Sequence, residues 1–318
     1  MLNVRVERKR QVADEICSFH LVSATGEPLP SFTAGSHVDV HLPGGLVRQY
    51  SLCGDPGDAG QYILGVLKDP ASRGGSIAMH SIEEGSEIQI SAPRNHFPIE
   101  DGAGHSILLA GGIGVTPLMA MARALSSERR SFELHYCTRN LARTAFKEEL
   151  LQGAMSDRVH LHLDEGRGER FDAEAVLRGR FRPDAHIYIC GPAGFIEAMI
   201  SAAKEAGFAE SQVHREYFAA PKVAPSELGD GVFQVQIKST GAIHQILPEE
   251  TVVQVLGRHG IEIETSCEQG VCGTCVTRVL EGVPDHRDVY LTDQEHVENK
   301  LFTPCCSRAC SPMLVLDL

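Results

Sequence analysis

Three cysteines close together near the carboxyl end constrain this chain more than any other feature: Ser266-Cys267-Glu268-Gln269-Gly270-Val271-Cys272-Gly273-Thr274-Cys275. A further pair follows downstream in Thr303-Pro304-Cys305-Cys306-Ser307-Arg308. C-x4-C-x2-C with a distant fourth cysteine is the spacing that wraps thiolates around a plant-type [2Fe–2S] cluster. Gly270 and Gly273 fall where a tight loop must turn its amide N–H groups toward anionic sulfides, and such donors stabilise the charge that reduction adds. At least part of the chain is therefore an electron carrier.

Other uses of these cysteines fit less well. Structural zinc takes two C-x2-C pairs or mixes in histidine, and this stretch offers one such pair, an extra cysteine upstream and a distant single position. A disulfide framework belongs to short secreted chains, not to 318 residues that open on Met1-Leu2-Asn3-Val4-Arg5-Val6 without a charged-then-apolar leader. Composition does not choose between Cys305 and Cys306 as the fourth ligand. Cys17, Cys53, Cys137 and Cys310 have no spaced partners and read as small buried residues or inert thiols.

With 42% hydrophobic residues the chain can bury ample core, and its length suits two or three domains. A net charge of −13 without any run of five basic residues argues against a nucleic-acid surface. The longest stretch free of formal charge, Gly102 to Ala122, has membrane-span length but carries Gly111, Gly112, Gly114 and Pro117 in its middle. A strand, a loop and a helix explain it better, and the expectation is a cytoplasmic protein without a membrane segment.

Texture divides the chain. Residues 1–102 carry short alternating runs, such as Ser36–Leu42 and Gln61–Leu67, between Gly/Pro turns, which predicts an antiparallel β-barrel. Residues 103–218 alternate apolar strands with helical segments: Ile107–Ala110, Pro117–Leu125, Phe132–Cys137, Ala145–Leu151, Val159–Leu163, Asp172–Leu177, His186–Cys190 and Gly194–Ala206. That alternation predicts a parallel α/β domain. Residues 219–231, rich in Ala, Pro and Gly, read as a linker. In 232–318, Phe233–Ile237 and Ile243–Leu247 pair as a hairpin around Gly241, Thr251–Arg258 reads as a helix and the cysteine loop follows, the order of a small ferredoxin domain.

Leu109-Ala110-Gly111-Gly112-Ile113-Gly114-Val115-Thr116-Pro117 runs from a buried strand through a glycine loop into a helix with proline in its first turn. Helix N–H groups there attract phosphates, although the pattern is not the dinucleotide fingerprint G-x-G-x-x-G. Tyr188-Ile189-Cys190-Gly191-Pro192-Ala193-Gly194-Phe195 is a second strand-to-helix turn, ending at the same edge of a parallel sheet, and two such loops can bracket one dinucleotide. In the barrel, Arg48-Gln49-Tyr50-Ser51 combines a cation, a ring and a hydroxyl, with Arg48 and Tyr50 on one face and Gln49 and Ser51 on the other. Arg73-Gly74-Gly75-Ser76 before a helical run offers another anion cradle.

Taken in order, Arg-x-Tyr-Ser, Gly-Gly-Ser, Gly-Gly-Ile-Gly-Val-Thr-Pro, Cys-Gly-Pro-x-Gly-Phe and the cluster loop make the chain resemble the phthalate dioxygenase reductase and vanillate demethylase reductase family over nearly its whole length. The resemblance implies a barrel that binds FMN, an α/β domain that binds NADH and a C-terminal β-grasp ferredoxin domain with a [2Fe–2S] cluster. It implies that Arg48, Gly74, Gly75 and Ser76 hold the FMN phosphate, that Gln49, Tyr50 and Ser51 meet the flavin, and that Ser51 sits near N5. Gly111, Gly112, Gly114 and Thr116 would line the NADH site, with Cys190, Gly191 and Pro192 near the nicotinamide. Ser51, Thr116 and Cys190 are thus expected at the hydride-transfer centre. Thr138 and Arg139 would contact the adenosine part, and Phe218 would cover the flavin. Without the resemblance, Phe218 reads as a core aromatic. The same pattern selects Cys305 over Cys306, and gives His286 a family position without chemistry.

NADH gives two electrons as a hydride, the cluster takes one at a time, and a flavin joins the two. The chain has C-x2-H at Cys17–His20 but no C-x-H, so it lacks a Rieske centre of its own and must pass electrons on. The resemblance implies a Rieske-type non-haem iron oxygenase as acceptor, docking at the rim around Gly270 and Val271, and a monomeric reductase. A quinone or a haem protein is the alternative acceptor.

Overall fold

The computed structural model describes residues 1–70, 72, 74–165, 171–218 and 231–318. They form two compact units, Met1–Glu216 and Tyr217–Leu318.

In the first unit, β1 (Leu2–Ala13), β2 (Ile16–Ser23), β3 (Ser36–Leu42), β4 (Leu46–Ser51), β5 (Tyr62–Leu67), β6 (Glu87–Ile90) and the short β7 (Arg94–Asn95) make an antiparallel sheet. Its order is β4-β3-β6-β1-β2-β5, with β7 on β3. An antiparallel bridge from Leu52 to Leu64 joins the end of β4 to β5 and closes the sheet into the expected barrel. Strand alternation turns Val4, Val6, Phe19, Leu21, Val38, Val40 and Leu64 into a common core. Helix α1 (Gly75–Ser81) adds Met79 to that core, and its His80 Nε2 lies 2.9 Å from the Val66 carbonyl.

The same unit holds a second sheet of β8 (His105–Gly111), β9 (Phe132–Thr138), β10 (Val159–Leu163), β11 (Ala185–Gly191) and β12 (Val213–Tyr217), in the order β10-β9-β8-β11-β12. β8, β9, β10 and β11 are parallel. Helices α2 (Val115–Ser127), α3 (Lys147–Gln152), α4 (Ala173–Arg178) and α5 (Ala193–Glu205) connect the strands. The chain order reverses between β8 and β11, and in open parallel sheets ligands bind outside the carboxyl ends of the strands at such a switch point. Both glycine motifs leave those two strands. The uncharged stretch from Gly102 to Ala122 is accounted for by β8, its loop and α2, and no helix among the described residues is long and apolar enough to cross a membrane. The residue 102/103 division falls inside the first unit, where Gly65 of β5 sits against Thr116 and Phe146. Strand β12 was not anticipated from the sequence.

The second unit has a mixed sheet, β14-β13-β19-β15-β17, of β13 (Phe233–Ile237), β14 (Ile243–Ile246), β15 (Thr277–Glu281), β17 (Leu301–Phe302) and β19 (Met313–Leu316). β13 pairs β14 antiparallel, as the hairpin pattern predicts, and β19 in parallel. A small ribbon pairs β16 (Pro284–Asp285) with β18 (Arg308–Ala309). The sheet grasps α6 (Val252–Arg258), whose Val252, Val255 and Leu256 pack on Phe233, Val235, Ile246 and Leu314. Thr251 caps α6: its hydroxyl accepts from Gln254 N at 3.2 Å while Gln254 Oε1 accepts from Thr251 N at 3.1 Å. A short α7 (Asp293–Glu298) completes the unit, which is the β-grasp fold expected of the ferredoxin domain. Of the expected linker, residues 219–230 lie outside the described residues.

Candidate redox sites

On β4, Tyr50 packs against the barrel core opposite Val38, and burial pushes its phenol up to about 12. Arg48, on the same face, lies over α1: a Cβ added at Gly75 would come within 2.5 Å of Arg48 Cγ. The cation and the Gly74–Ser76 turn are thereby brought together, as an anion cradle needs. Ser76 Oγ accepts from Asp69 N at 3.1 Å. Arg73 lies outside the described residues. On the opposite face of β4, Gln49 pairs with Asp39 and Ser51 with His37. Gln49 Nε2 is buried with no hydrogen-bond partner among the described residues.

The turns after β8 and β11 touch backbone to backbone. A Cβ built on Gly191 would lie 3.0 Å from Gly111 Cα, and one on Gly114 would lie 2.2 Å from the Cys190 carbonyl oxygen. These glycines are thus required by protein packing before any phosphate is considered. Gly112 is different: its φ is +54° and nothing lies within 4 Å of its Cβ direction, so its backbone faces open space at the helix entrance. Pro192 packs by Gly111, and Thr116 is buried with its hydroxyl donating to Ile113 O at 3.0 Å. Thr138, at the end of β9, is buried and its hydroxyl pairs with Thr144 Oγ1 at 2.8 Å, whereas Arg139 is exposed. Asp164 and Glu165 follow β10 beside them: Asp164 N donates to Thr138 O at 3.0 Å and Glu165 N to Arg139 O at 2.8 Å.

Ser51 and Cys190, from different sheets, meet through a residue the sequence reading missed. The Ser51 hydroxyl donates to Glu216 Oε2 at 3.4 Å, and the same carboxyl faces Cys190. Burial pushes Glu216 up to about 8, only partly opposed by Ser51, and burial also raises the fully enclosed Cys190 thiol well above its usual range. Glu216 lies on β12, the strand that was also missed, two residues before Phe218. Phe218 is 38% exposed, so it is not a core aromatic.

In the second unit, Gly270 and Gly273 have φ of +71° and +73°, which fits the turns expected of them. A side chain on Gly273 would collide with the Tyr290 ring at 2.1 Å, and one on Gly270 with Cys306 Sγ at 2.5 Å. The buried thiols of Cys267 and Cys272 are in contact, as are those of Cys275 and Cys305, and Cys267 touches Cys305. Cys306 contacts Cys305, Thr303 and Ser307. Gln269 N points at Cys267 Sγ from 3.3 Å. Four thiols with only protons to share drive one another apart: contact with Cys272 holds Cys267 low, and contact with Cys267 raises Cys272 and Cys305. Iron ions replacing those protons relieve this crowding, so two touching pairs of thiols fit a two-iron cluster. Behind the loop, Asp288 is buried. Burial works to raise it, but His286, the Leu291 amide and His296 hold it to about 2. Val289 N donates to Gly270 O at 3.1 Å and so ties this buttress to the cysteine loop.

Comparison with known proteins decides what this arrangement belongs to. Residues 236–310 match the 2Fe-2S iron-sulfur cluster binding domain, and residues 108–201 the oxidoreductase NAD-binding domain. The chain is 51% identical to the vanillate O-demethylase oxidoreductase of Pseudomonas sp. (strain HR199 / DSM 7063), over 100% of both chains. It belongs to the vanillate O-demethylase oxidoreductase and phthalate dioxygenase reductase family. The solved phthalate dioxygenase reductase, described as a modular structure for electron transfer from pyridine nucleotides to [2Fe-2S], matches with a TM-score of 0.78 at 36% identity, over 100% of this chain and 98% of that one. An intact type IV self-sufficient cytochrome P450 monooxygenase matches with a TM-score of 0.83 at 35% identity, over 100% of this chain and 41% of that one. The protein is an NADH-dependent oxidoreductase, the reductase component of an oxygenase system, with the family's cofactor set of FMN, NADH and a [2Fe–2S] cluster.

Proposed function

We propose that this reductase feeds a Rieske-type non-haem iron oxygenase that acts on an aromatic acid, and that it works as a monomer. The observation that carries the site assignment is the meeting of Ser51 with the Cys190 loop through Glu216 at the sheet's switch point. When bound, NADH supplies a hydride, FMN takes up two electrons and releases them singly, and the cluster carries them one at a time.

Arg48 with Gly74, Gly75 and Ser76 holds the flavin phosphate, while Gln49, Tyr50 and Ser51 fix the ring, with Gln49 Nε2 supplying an uncommitted donor. Gly112 and the entrance to α2 receive the pyrophosphate, with Gly111, Gly114 and Thr116 shaping the loop. Cys190, Gly191 and Pro192 flank the nicotinamide, and Ser51 and Glu216 exclude water from the reacting edge. Neutral Glu216 leaves no fixed negative charge to repel an incoming electron pair. Catalysis rests on holding donor and acceptor in register, where a shift of about 1 Å costs on the order of 10²-fold. Thr138 contributes its backbone and Arg139 its exposed guanidinium to the adenosine end, where Asp164 and Glu165 disfavour a 2′-phosphate. Phe218 covers the flavin before the nicotinamide enters. Cys267, Cys272, Cys275 and Cys305 ligate the cluster. Domain limits at 1–102, 103–218 and 232–318, with a linker at 219–231, go with this reading.

Anaerobic NADH titration followed by rapid mixing with a purified Rieske oxygenase tests it. Bleaching of flavin and cluster absorbance, then stoichiometric reduction of the oxygenase, is expected. Reduction of a haem acceptor but not of any Rieske protein would favour a second reading, which the P450 monooxygenase match supports.

A further inference from the structure

Parallel pairing of β9 and β10 sets His135 opposite His160, with Glu133 two residues earlier on the same face of β9. One ligand atom from each of the three lies within 4.8 Å of the others. We propose that Glu133, His135 and His160 form a binding site for a divalent first-row transition metal, zinc by its ligand set.

The carboxylate divides its two oxygens between two tasks. Glu133 Oε1 is held by Arg180 Nε and lies 3.6 Å from His105 Nε2. Glu133 Oε2 faces the imidazoles, 3.4 Å from His135 Nε2 and 3.9 Å from His160 Nε2. His135 is 3% exposed, and its Nε2 has no hydrogen-bond partner of proper geometry among the described residues. A buried ring nitrogen left in that condition is costly unless something satisfies it. Its other nitrogen, Nδ1, lies 3.0 Å from His162 Nε2. With His162 accepting, the proton sits on His135 Nδ1 and the Nε2 lone pair turns toward Glu133 and His160. This is how an outer partner sets the tautomer of a metal ligand.

His135 is also fixed in orientation, stacked on His160 at 4.8 Å and on His162 at 5.3 Å between ring centroids. His160, 45% exposed, leaves an entry path for the ion and open positions for water. Two imidazoles and one carboxylate suit zinc, and also cobalt, nickel or ferrous iron. The site lies at the amino-terminal end of the sheet. Glu133 pairs with Ile107, His135 with Leu109 and Cys137 with Gly111, so the cluster stands two to four residues of strand, roughly 7–13 Å, before the nucleotide loop. Metal there would clamp β9 to β10 without entering the electron path.

The test uses the holoenzyme with flavin and cluster bound, so that the four cluster thiols are occupied. Equilibrium dialysis against Zn2+ with elemental analysis, and Co2+ absorbance as a spectroscopic probe, count sites beyond the cluster iron. About one added zinc and a zinc-dependent rise in Tm are expected. His160→Ala removes an exposed ligand and should weaken zinc binding about tenfold or more while NADH oxidation with a dye acceptor stays unchanged. His296→Ala, which breaks the His286–Asp288–His296 group of the second unit, should leave zinc binding intact. No zinc beyond the cluster, zinc binding that survives His160→Ala, or binding lost with His296→Ala would each overturn the proposal.

Discussion

Glu216 ties the stability of the first unit to pH. Burial holds its carboxyl protonated up to about pH 8, whereas an unfolded chain gives up that proton near 4.5. The folded state therefore keeps a proton that the unfolded state loses. The stabilisation is fully present below pH 4.5 and is lost as pH rises toward 8. Glu216→Gln keeps the shape without the titration, so its Tm relative to the parent should climb across that window, by the equivalent of a few kcal/mol, on the order expected for a raised buried carboxyl. A difference that stays flat between those limits would show that Glu216 is not the neutral buried group described. The motifs that carry Ser51 and Cys190 stand out in the sequence because each has a fixed local spacing. Glu216 does not, since a single glutamate on a strand that also carries His214 and Arg215 looks like a solvated residue. Its contacts with Ser51 and Cys190 half-bury it, and those depend on residues far apart in the chain.

Among elements, the two strand-to-helix turns of the first unit and the cysteine loop of the second have the least tolerance for added atoms. Gly114→Ala sets a methyl 2.2 Å from the Cys190 carbonyl, where backbone must yield. A loss of about 1–3 kcal/mol is expected from such overpacking, with a raised KM for NADH and unchanged FMN content, read by thermal melts and steady-state kinetics. In Gly273→Ala, both a φ of +73° and the Tyr290 ring oppose the new Cβ. That variant should lose iron and acid-labile sulfide yet retain flavin, and adding Tyr290→Ala should restore only part of the cluster. Complete recovery would mean that the ring alone was at fault. Strong periodicity made β3, β10, α2, α5 and α6 readable to within a few residues, and the hairpin of β13 and β14 followed from its spacing about Gly241. β12 escaped because its Val213-His214-Arg215-Glu216-Tyr217 run places charges on both faces, a pattern tolerated in an edge strand beside β11.

At the scale of the whole molecule, the order of barrel, parallel sheet and β-grasp unit was visible in changes of texture along the chain. The sequence did not reveal that barrel and sheet merge into one compact unit, because contacts such as Gly65 against Thr116 join residues with no local signal. The series arrangement predicts that Cys272→Ser abolishes electron delivery to a Rieske oxygenase while sparing most NADH-driven dye reduction. Equal loss of both activities would place the cluster upstream of the flavin or show that the units do not fold independently. Contact between Gly111 and Gly191 bears on how such an enzyme can diverge. Neither turn can be rebuilt alone without dislodging its counterpart, so under the proposed coenzyme site selection or engineering for an alternative coenzyme is channelled to the acidic rim at Asp164 and Glu165, where side chains can be exchanged and the load-sharing scaffold is left untouched.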